Sequence, residues 1–299
     1  MTLTITSTHS LPTYAQLTRP LPLWNPKAWY YGAFCLALRT VGQLSAGVRL
    51  GYRYGFDSGV MLEYVYRNQP HGITPLGTLI DRLYLNSQGW QGIRDRAQLL
   101  ETTLETVLSS HVDAGRPCRL LDVACGGGRY DLEVLQKFSS QGINATLRDY
   151  KPENVAQARQ LAQEWGINAC IEQGDAFSDA DLNQVHPRPN VIVVSGLHEI
   201  LPDNELIERH FHQLYRIMEA PGTLIFTIQP HHPQLELIAR TLPAHTGRPW
   251  TMRLRPWDLA RQWALAAGFV NPQVKMERHG IFGVVTMEKP DRPSTATGC

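Results

Sequence analysis

The sequence has almost no excess of either charge: 28 Lys and Arg side chains stand against 27 Asp and Glu, a formal +1. No basic run occurs, so a nucleic-acid partner has no electrostatic footing. Cysteine is sparse. The five present (Cys35, Cys118, Cys125, Cys170 and Cys299) are scattered and never fall in a Cys-x-x-Cys spacing. That excludes a zinc site of the usual kind and a disulfide frame, and fits a reducing compartment. The eleven histidines make no metal pattern either; His210 and His212 are two apart, on different sides of a helix, and His231 and His232 are adjacent. Long apolar runs are also missing. Residues 32–50 come nearest, but Arg39, Gln43 and Arg49 interrupt them, and a membrane span needs about 20 nearly unbroken apolar residues. The opening residues lack the basic and apolar regions of a signal peptide. A cytoplasmic protein with no integral membrane segment, no nucleic-acid partner and no metal is expected. With 299 residues and 43% hydrophobic content, the chain can bury a full core.

The most informative stretch runs Arg119-Leu-Leu-Asp122-Val-Ala124-Cys-Gly126-Gly127-Gly128-Arg129-Tyr130. Leu120, Leu121 and Val123 suit a strand buried on both faces. The glycines let a turn approach a ligand closely, and the following helix offers unpaired N–H groups and its positive end at the same place. A dinucleotide fingerprint would need a third glycine at position 131, where the chain has Asp131. A second strand, Ala145–Asp149, ends in an acid 21 positions beyond Gly128. That offset matches a carboxylate that binds a ribose.

Around this stretch, apolar periods alternate between strand and helix. Strands are expected near 119–123, 144–149, 169–173, 190–195 and 222–229, with helices at 129–139, 152–165 and 203–219 between them. A helix at 256–267 and two closing strands, 270–277 and 281–287, complete a parallel, doubly wound α/β sheet of seven strands. Residues 1–20 read as a disordered arm, 21–112 as a helical, aromatic-rich cover, 113–289 as the main domain and 290–299 as a flexible tail. One helix is expected over Ala33–Leu50, with Arg39, Thr40 and Gln43 on a single face. It reads as core packing, as a lid over an apolar acceptor, or as a membrane contact.

The acid-x-Ala-x-Gly-x-Gly pattern beginning at Asp122 resembles motif I of the class I S-adenosylmethionine-dependent methyltransferases, with Ala124 where many members have glycine. The segments Gly55-Phe-Asp-Ser-Gly59, Arg148-Asp-Tyr150-Lys-Pro, Val193-Val-Ser195-Gly-Leu-His198-Glu199 and Gln229-Pro-His231-His232-Pro extend the likeness. They are similar to a bacterial family whose members stand alone or follow an α/β-hydrolase half. The resemblance implies a Rossmann-like, seven-stranded class I methyltransferase sheet and the cofactor S-adenosyl-L-methionine. It places the cofactor against Asp122 (the ammonium), Ala124, Gly126, Gly128, Asp149 (the ribose), Tyr150, Asp175 (the adenine amino group), Ala176, Phe177 (the adenine ring) and Ser195. Arg94, read as preceding the helix that leads into the first strand, is a candidate for the cofactor's carboxylate.

Catalytic candidates lie beyond the fourth and fifth strands: His198 as a base, with Glu199 and His231 beside it. Ser195-Gly196 is no nucleophile elbow, since Val193 replaces the first glycine of that motif. The reading is methyl transfer to a small, partly apolar acceptor at oxygen or nitrogen. The alternatives are an NAD(P)-dependent oxidoreductase and a non-catalytic cofactor-sensing or partner-binding module assembled through residues 33–50; a homodimer is a further expectation.

Overall fold

The computed structural model describes residues 14–291. They fall into two compact units, one built from the chain up to Ser87 together with His232–Leu254, the other from Gln88–His231 and from Arg255 onward.

The first unit is helical. It contains α1 (Tyr14–Thr18), α2 (Pro26–Arg39), a 3-10 turn (Val41–Leu44), α3 (Ala46–Tyr54), α4 (Gly59–Arg67) and α5 (Pro75–Leu85). Helix α1 falls in the stretch expected to be a disordered arm, and its Leu17 is buried beside Leu235, Ile238 and Met252; residues 1–13 of that arm, and 292–299 of the expected tail, lie outside the described residues. The single helix expected over Ala33–Leu50 is not formed. It breaks at Thr40, whose φ of −111° and ψ of −93° are not helical, and restarts after Ser45, which caps α3 by accepting from the Val48 N–H. The cause is a buried carboxylate. Asp81 accepts from the Ser45 hydroxyl, the Tyr64 hydroxyl, and the Gly47 and His71 N–H groups, the last two at 2.8 Å. It thereby pins the start of α3 to α5.

The second unit begins with α6 (Gln88–Asp113), placed by sequence with the helical cover but here part of the sheet-bearing unit. Then follow β1 (Arg119–Asp122), α7 (Arg129–Lys137), β2 (Asn144–Asp149), α8 (Pro152–Trp165), β3 (Cys170–Gln173), α9 (Asp179–Asn183), β4 (Val191–Val194), α10 (Asn204–Ile217) and β5 (Gly222–Ile228). Helix α11 (Leu235–Thr241) belongs to the first unit; α12 (Trp257–Ala267), β6 (Val270–Met276) and β7 (Gly283–Lys289) return to the second. The strand order is β3-β2-β1-β4-β5-β7-β6, parallel except that β7 runs antiparallel to both neighbours. All seven strands lie within a few residues of their expected places.

Local chemistry explains the regularity. All four residues of β4 (Val-Ile-Val-Val) are buried, as a strand covered on both faces requires. Pro152 opens α8, and Gly166 closes it in the left-handed region. Asp203 caps α10 through the Glu205 and Leu206 N–H groups. One core layer, including Ile192, Phe211, Phe226 and Phe269, lies on one side of the sheet; the other includes Leu104, Leu120, Leu147 and Ala158. The winding reverses between β1 and β4. At such a switch point, a crevice opens beyond the carboxyl ends of the strands.

Candidate active site

The glycine turn leaves β1 into that crevice. Gly126 has φ +58° and nothing within 4 Å of where a Cβ would stand. Its amide points instead to the end of β2, donating to Asp149 Oδ2 at 2.9 Å. The other Asp149 oxygen accepts from the Lys151 N–H and the Asn154 amide, both at 2.9 Å. Asp149 thus holds the turn, its own loop and the start of α8 in one geometry. Tyr150, next in the chain, is exposed.

Gly128, expected at the cofactor, also serves the packing of the helices. Its φ of +70° requires glycine, but a Cβ there would meet Ala158 at 3.2 Å. The residue allows α7 to pack on α8, and the open space lies at Gly126.

Asp122 is fully buried. Its Oδ1 accepts from the Ala124 N–H at 2.8 Å, and its Oδ2 accepts from the Tyr130 hydroxyl. Asp131, also fully buried, adjoins it. Burial pushes the Asp122 carboxyl up to about 7, against the hydrogen bonds from Tyr130 and Ala124. Burial and the neighbouring Asp122 hold Asp131 well above the ordinary range. The two buried carboxyls beneath the turn both favour the protonated form, Asp131 in part through Asp122.

Beyond β3, Asp175 Oδ1 accepts from the Phe177 N–H at 2.9 Å, and the Asp175 N–H donates to Asp181. This side-chain turn presents the buried Ala176 and the half-buried Phe177, whose ring lies 4.5 Å from that of His210. Beyond β4, the Gly196 N–H donates to the Thr227 hydroxyl at 2.8 Å, next to the half-buried Ser195.

His198 is buried among Phe211, Phe226 and His210, and its Nε2 lies 2.9 Å from His210 Nδ1. Burial, aided by the second imidazole and Arg255, holds His198 well below the ordinary histidine value; burial brings His210 to about 3. Both rings are neutral, and one nitrogen of His198 is already engaged. The guanidinium of Arg255 fixes the loop by donating to the carbonyls of His198 and Leu201, both at 2.6 Å.

Glu199 offers a contrast. It too is buried, yet among the described residues neither of its oxygens has a hydrogen-bond partner of normal geometry. Burial raises its carboxyl, opposed by the Arg96 guanidinium and the Thr227 hydroxyl. His231, after β5, is exposed.

The sequence singles out Arg94 and not Arg96. Helix α6 starts at Gln88, so Arg94 is inside it and does not precede it. Arg94 has a buried Nη1 without a partner and lies near Asp95 and Arg278. Arg96 instead reaches the β4 loop: it lies 3.5 Å from where a Gly196 Cβ would stand and stacks over the Phe282 ring at 4.9 Å. Two residues, roughly 200° of helical phase, separate the candidates, and only a three-dimensional register distinguishes them. Asp95, Glu277 and His279 come within 4.8 Å of one another as a candidate cation trio. However, Glu277 accepts from the His279, Ile281 and Phe282 N–H groups, and Asp95 pairs with Arg278. These groups close the turn before β7.

Comparisons with known proteins agree with the geometry. "Uncharacterized protein YnbC" of Escherichia coli (strain K12) is 39% identical over 268 residues, which are 89% of this chain and 46% of that protein. The chain therefore spans about half the length of that relative. Among solved structures, a possible exported protein from Bordetella parapertussis superposes with a TM-score of 0.61, at 18% identity over 90% of this chain and all of that one. Magnesium protoporphyrin IX methyltransferase from Synechocystis, solved with bound S-adenosylhomocysteine (SAH), gives 0.54 at 15% identity, over 80% of this chain and 98% of that one. The S-adenosylmethionine-dependent methyltransferase SibL gives 0.53 at 15% identity, over 89% and 77%. The sheet is thus the Rossmann-like fold of class I methyltransferases. A family model described as "Putative methyltransferase" matches residues 4–289, and the chain belongs to that family.

Proposed function

We propose that the chain transfers the methyl group of S-adenosyl-L-methionine to the oxygen or nitrogen of a small, partly apolar acceptor. The observation that carries this is the tie between Gly126 and Asp149: an open, left-handed glycine at the switch point, held by an acid at the end of the next strand. The residues fit the cofactor. Gly126 leaves room where a side chain would intrude, Asp149 retains lone pairs for a ribose diol, and Ala176 and Phe177 form an apolar edge for a purine beside Asp175. Asp122 lies below the turn, and an ammonium bound beside it would favour its ionised form. When bound, the cofactor supplies an electrophilic methyl on a sulfonium, which leaves as a neutral thioether.

The protein has then to align the acceptor and exclude water. Where the acceptor is a hydroxyl, its proton must be taken up as the new bond to carbon forms, and a protonated amine must lose its proton first to free the lone pair. Glu199 is the best placed to take it. Neither of its oxygens has a hydrogen bond of normal geometry among the described residues, and its burial strengthens it as a base, whereas His198 is tied to His210. Arg96 and Thr227 hold Glu199 in place. The exposed His231 would touch the acceptor at most. The aromatic nest around His198 and Phe177 matches an acceptor with an apolar body.

The test is methyl transfer from labelled S-adenosylmethionine into fractionated cell extract, with products identified by mass spectrometry. Label in a small-molecule fraction, abolished by Asp149→Ala, supports the reading. Absence of cofactor binding by the wild-type protein overturns it.

A further inference from the structure

Helix α2 presents a contradiction. Its sequence, Pro-Lys-Ala-Trp-Tyr-Tyr-Gly-Ala-Phe-Cys-Leu-Ala-Leu-Arg, is apolar on every side, as in a helix enclosed by protein or lipid. Yet none of its fourteen residues is buried. One side packs on α11 and the 3-10 turn of the same unit. The opposite side carries Trp29, Ala33 and Leu36 at helical spacing, with Trp29 71% and Leu36 65% exposed, and Trp24 just before the helix 86% exposed. Single exposed apolar residues are ordinary; a row of this size marks an interaction surface. A second row, Leu76, Leu79 and Leu83, is exposed on α5, which packs on the same 3-10 turn.

Charge identifies the partner. The near-neutral chain is divided unevenly: the helical unit holds ten Lys and Arg against four Asp and Glu, a side-chain net of +6, leaving −5 on the sheet-bearing unit. The four acids are moreover masked. Asp81 is fully buried, Asp57 pairs with His245, Glu63 with Arg67, and Glu236 with Lys27 and Arg240. Arg39, Arg53 and Arg82 are exposed at or near the ends of α2, α3 and α5. Exposed tryptophan and leucine on a basic helical unit form the pattern of a protein that lies on an anionic bilayer without crossing it. No helix among the described residues is long and apolar enough to cross a membrane.

We propose that the helical unit docks on an anionic lipid surface, inserting the Trp29–Leu36 face of α2 among the headgroups while its arginines meet the phosphates. The experiment is co-sedimentation of the full chain with phosphatidylcholine vesicles, with and without phosphatidylglycerol in equal parts. Binding is expected only to the anionic vesicles and should weaken with salt. Trp29→Gln with Leu36→Gln should weaken it at least about tenfold. Arg53→Gln and Arg82→Gln should each weaken it about fivefold, the equivalent of about 1 kcal/mol per basic side chain. All of these side chains are exposed, so circular dichroism should report an unchanged fold. Absence of anionic-vesicle binding overturns the proposal, as does binding that all these variants retain. A concentration-dependent dimer without vesicle binding, lost in Trp29→Gln with Leu36→Gln, would assign the face to a second copy and also overturn it. Lipid binding needs no methyl donor, so its failure would leave the methyltransferase reading untouched.

Discussion

The Gly126 amide donates to Asp149 Oδ2 at 2.9 Å, so the turn after β1 and the acid at the end of β2 form one unit. Asp149→Ala therefore removes both a ribose acceptor and the tether of the turn. We expect S-adenosylmethionine to bind about 10- to 150-fold more weakly, the equivalent of about 1.5–3 kcal/mol for a hydrogen bond to a charged group. Calorimetric titration checks this. Wild-type affinity in the variant would remove Asp149 from the site.

Glu199→Gln keeps the shape and loses the proton acceptor. Turnover should fall by about 10²- to 10⁴-fold with cofactor affinity unchanged. The ionised form is the active one, so wild-type kcat should rise with pH through an apparent pKa above the ordinary glutamate value, because burial raises that carboxyl. The variant's residual rate should lose this dependence. Equal kcat in both proteins would assign proton removal to another group.

The buried pair of Asp122 and Asp131 makes stability depend on pH. Both carboxyls titrate higher in the folded protein than in the unfolded chain, Asp122 near 7 against an ordinary 3.8. Their contribution is fully present below the unfolded value and is lost as pH rises through about 7. Urea midpoints should fall between about pH 5 and about pH 8, and Asp131→Asn should flatten that fall. A variant whose pH slope matches that of the wild type would contradict the link between the two carboxyls.

The carboxylate of Asp81 satisfies two hydroxyls and two amides in a fully buried place. Asp81→Ala leaves those donors unpaired. A loss of more than about 3 kcal/mol is expected, since each orphaned buried donor costs about 1–3 kcal/mol. Equilibrium unfolding in denaturant reads it directly, and a loss below about 1 kcal/mol would show that the donors find other partners.

The same Asp81 shows where reading the sequence reaches its limit. The sheet was legible because Leu120, Ile192 and their neighbours follow simple periods and because Gly126, Gly166 and Pro152 act within a few residues. The break at Thr40–Ser45 was not, because its cause is 36 positions away in α5. Likewise, His198 stands out as a lone histidine, but its partner His210 is one face of an amphipathic helix, and nothing local announces the 2.9 Å contact. Gly128 matches a ligand motif, and its packing against Ala158 emerges only from the fold. Arg96 gave no signal that separated it from Arg94. Asp131 was legible only as a departure from the dinucleotide pattern; its pairing with Asp122 emerges only from the fold.

The most direct test of the central claim is parallel calorimetric titration of the wild-type protein with S-adenosylmethionine and with NAD. Saturable binding of the first at one site per chain, with no heat from the second, is the predicted result; binding of NAD, or of neither, would contradict it.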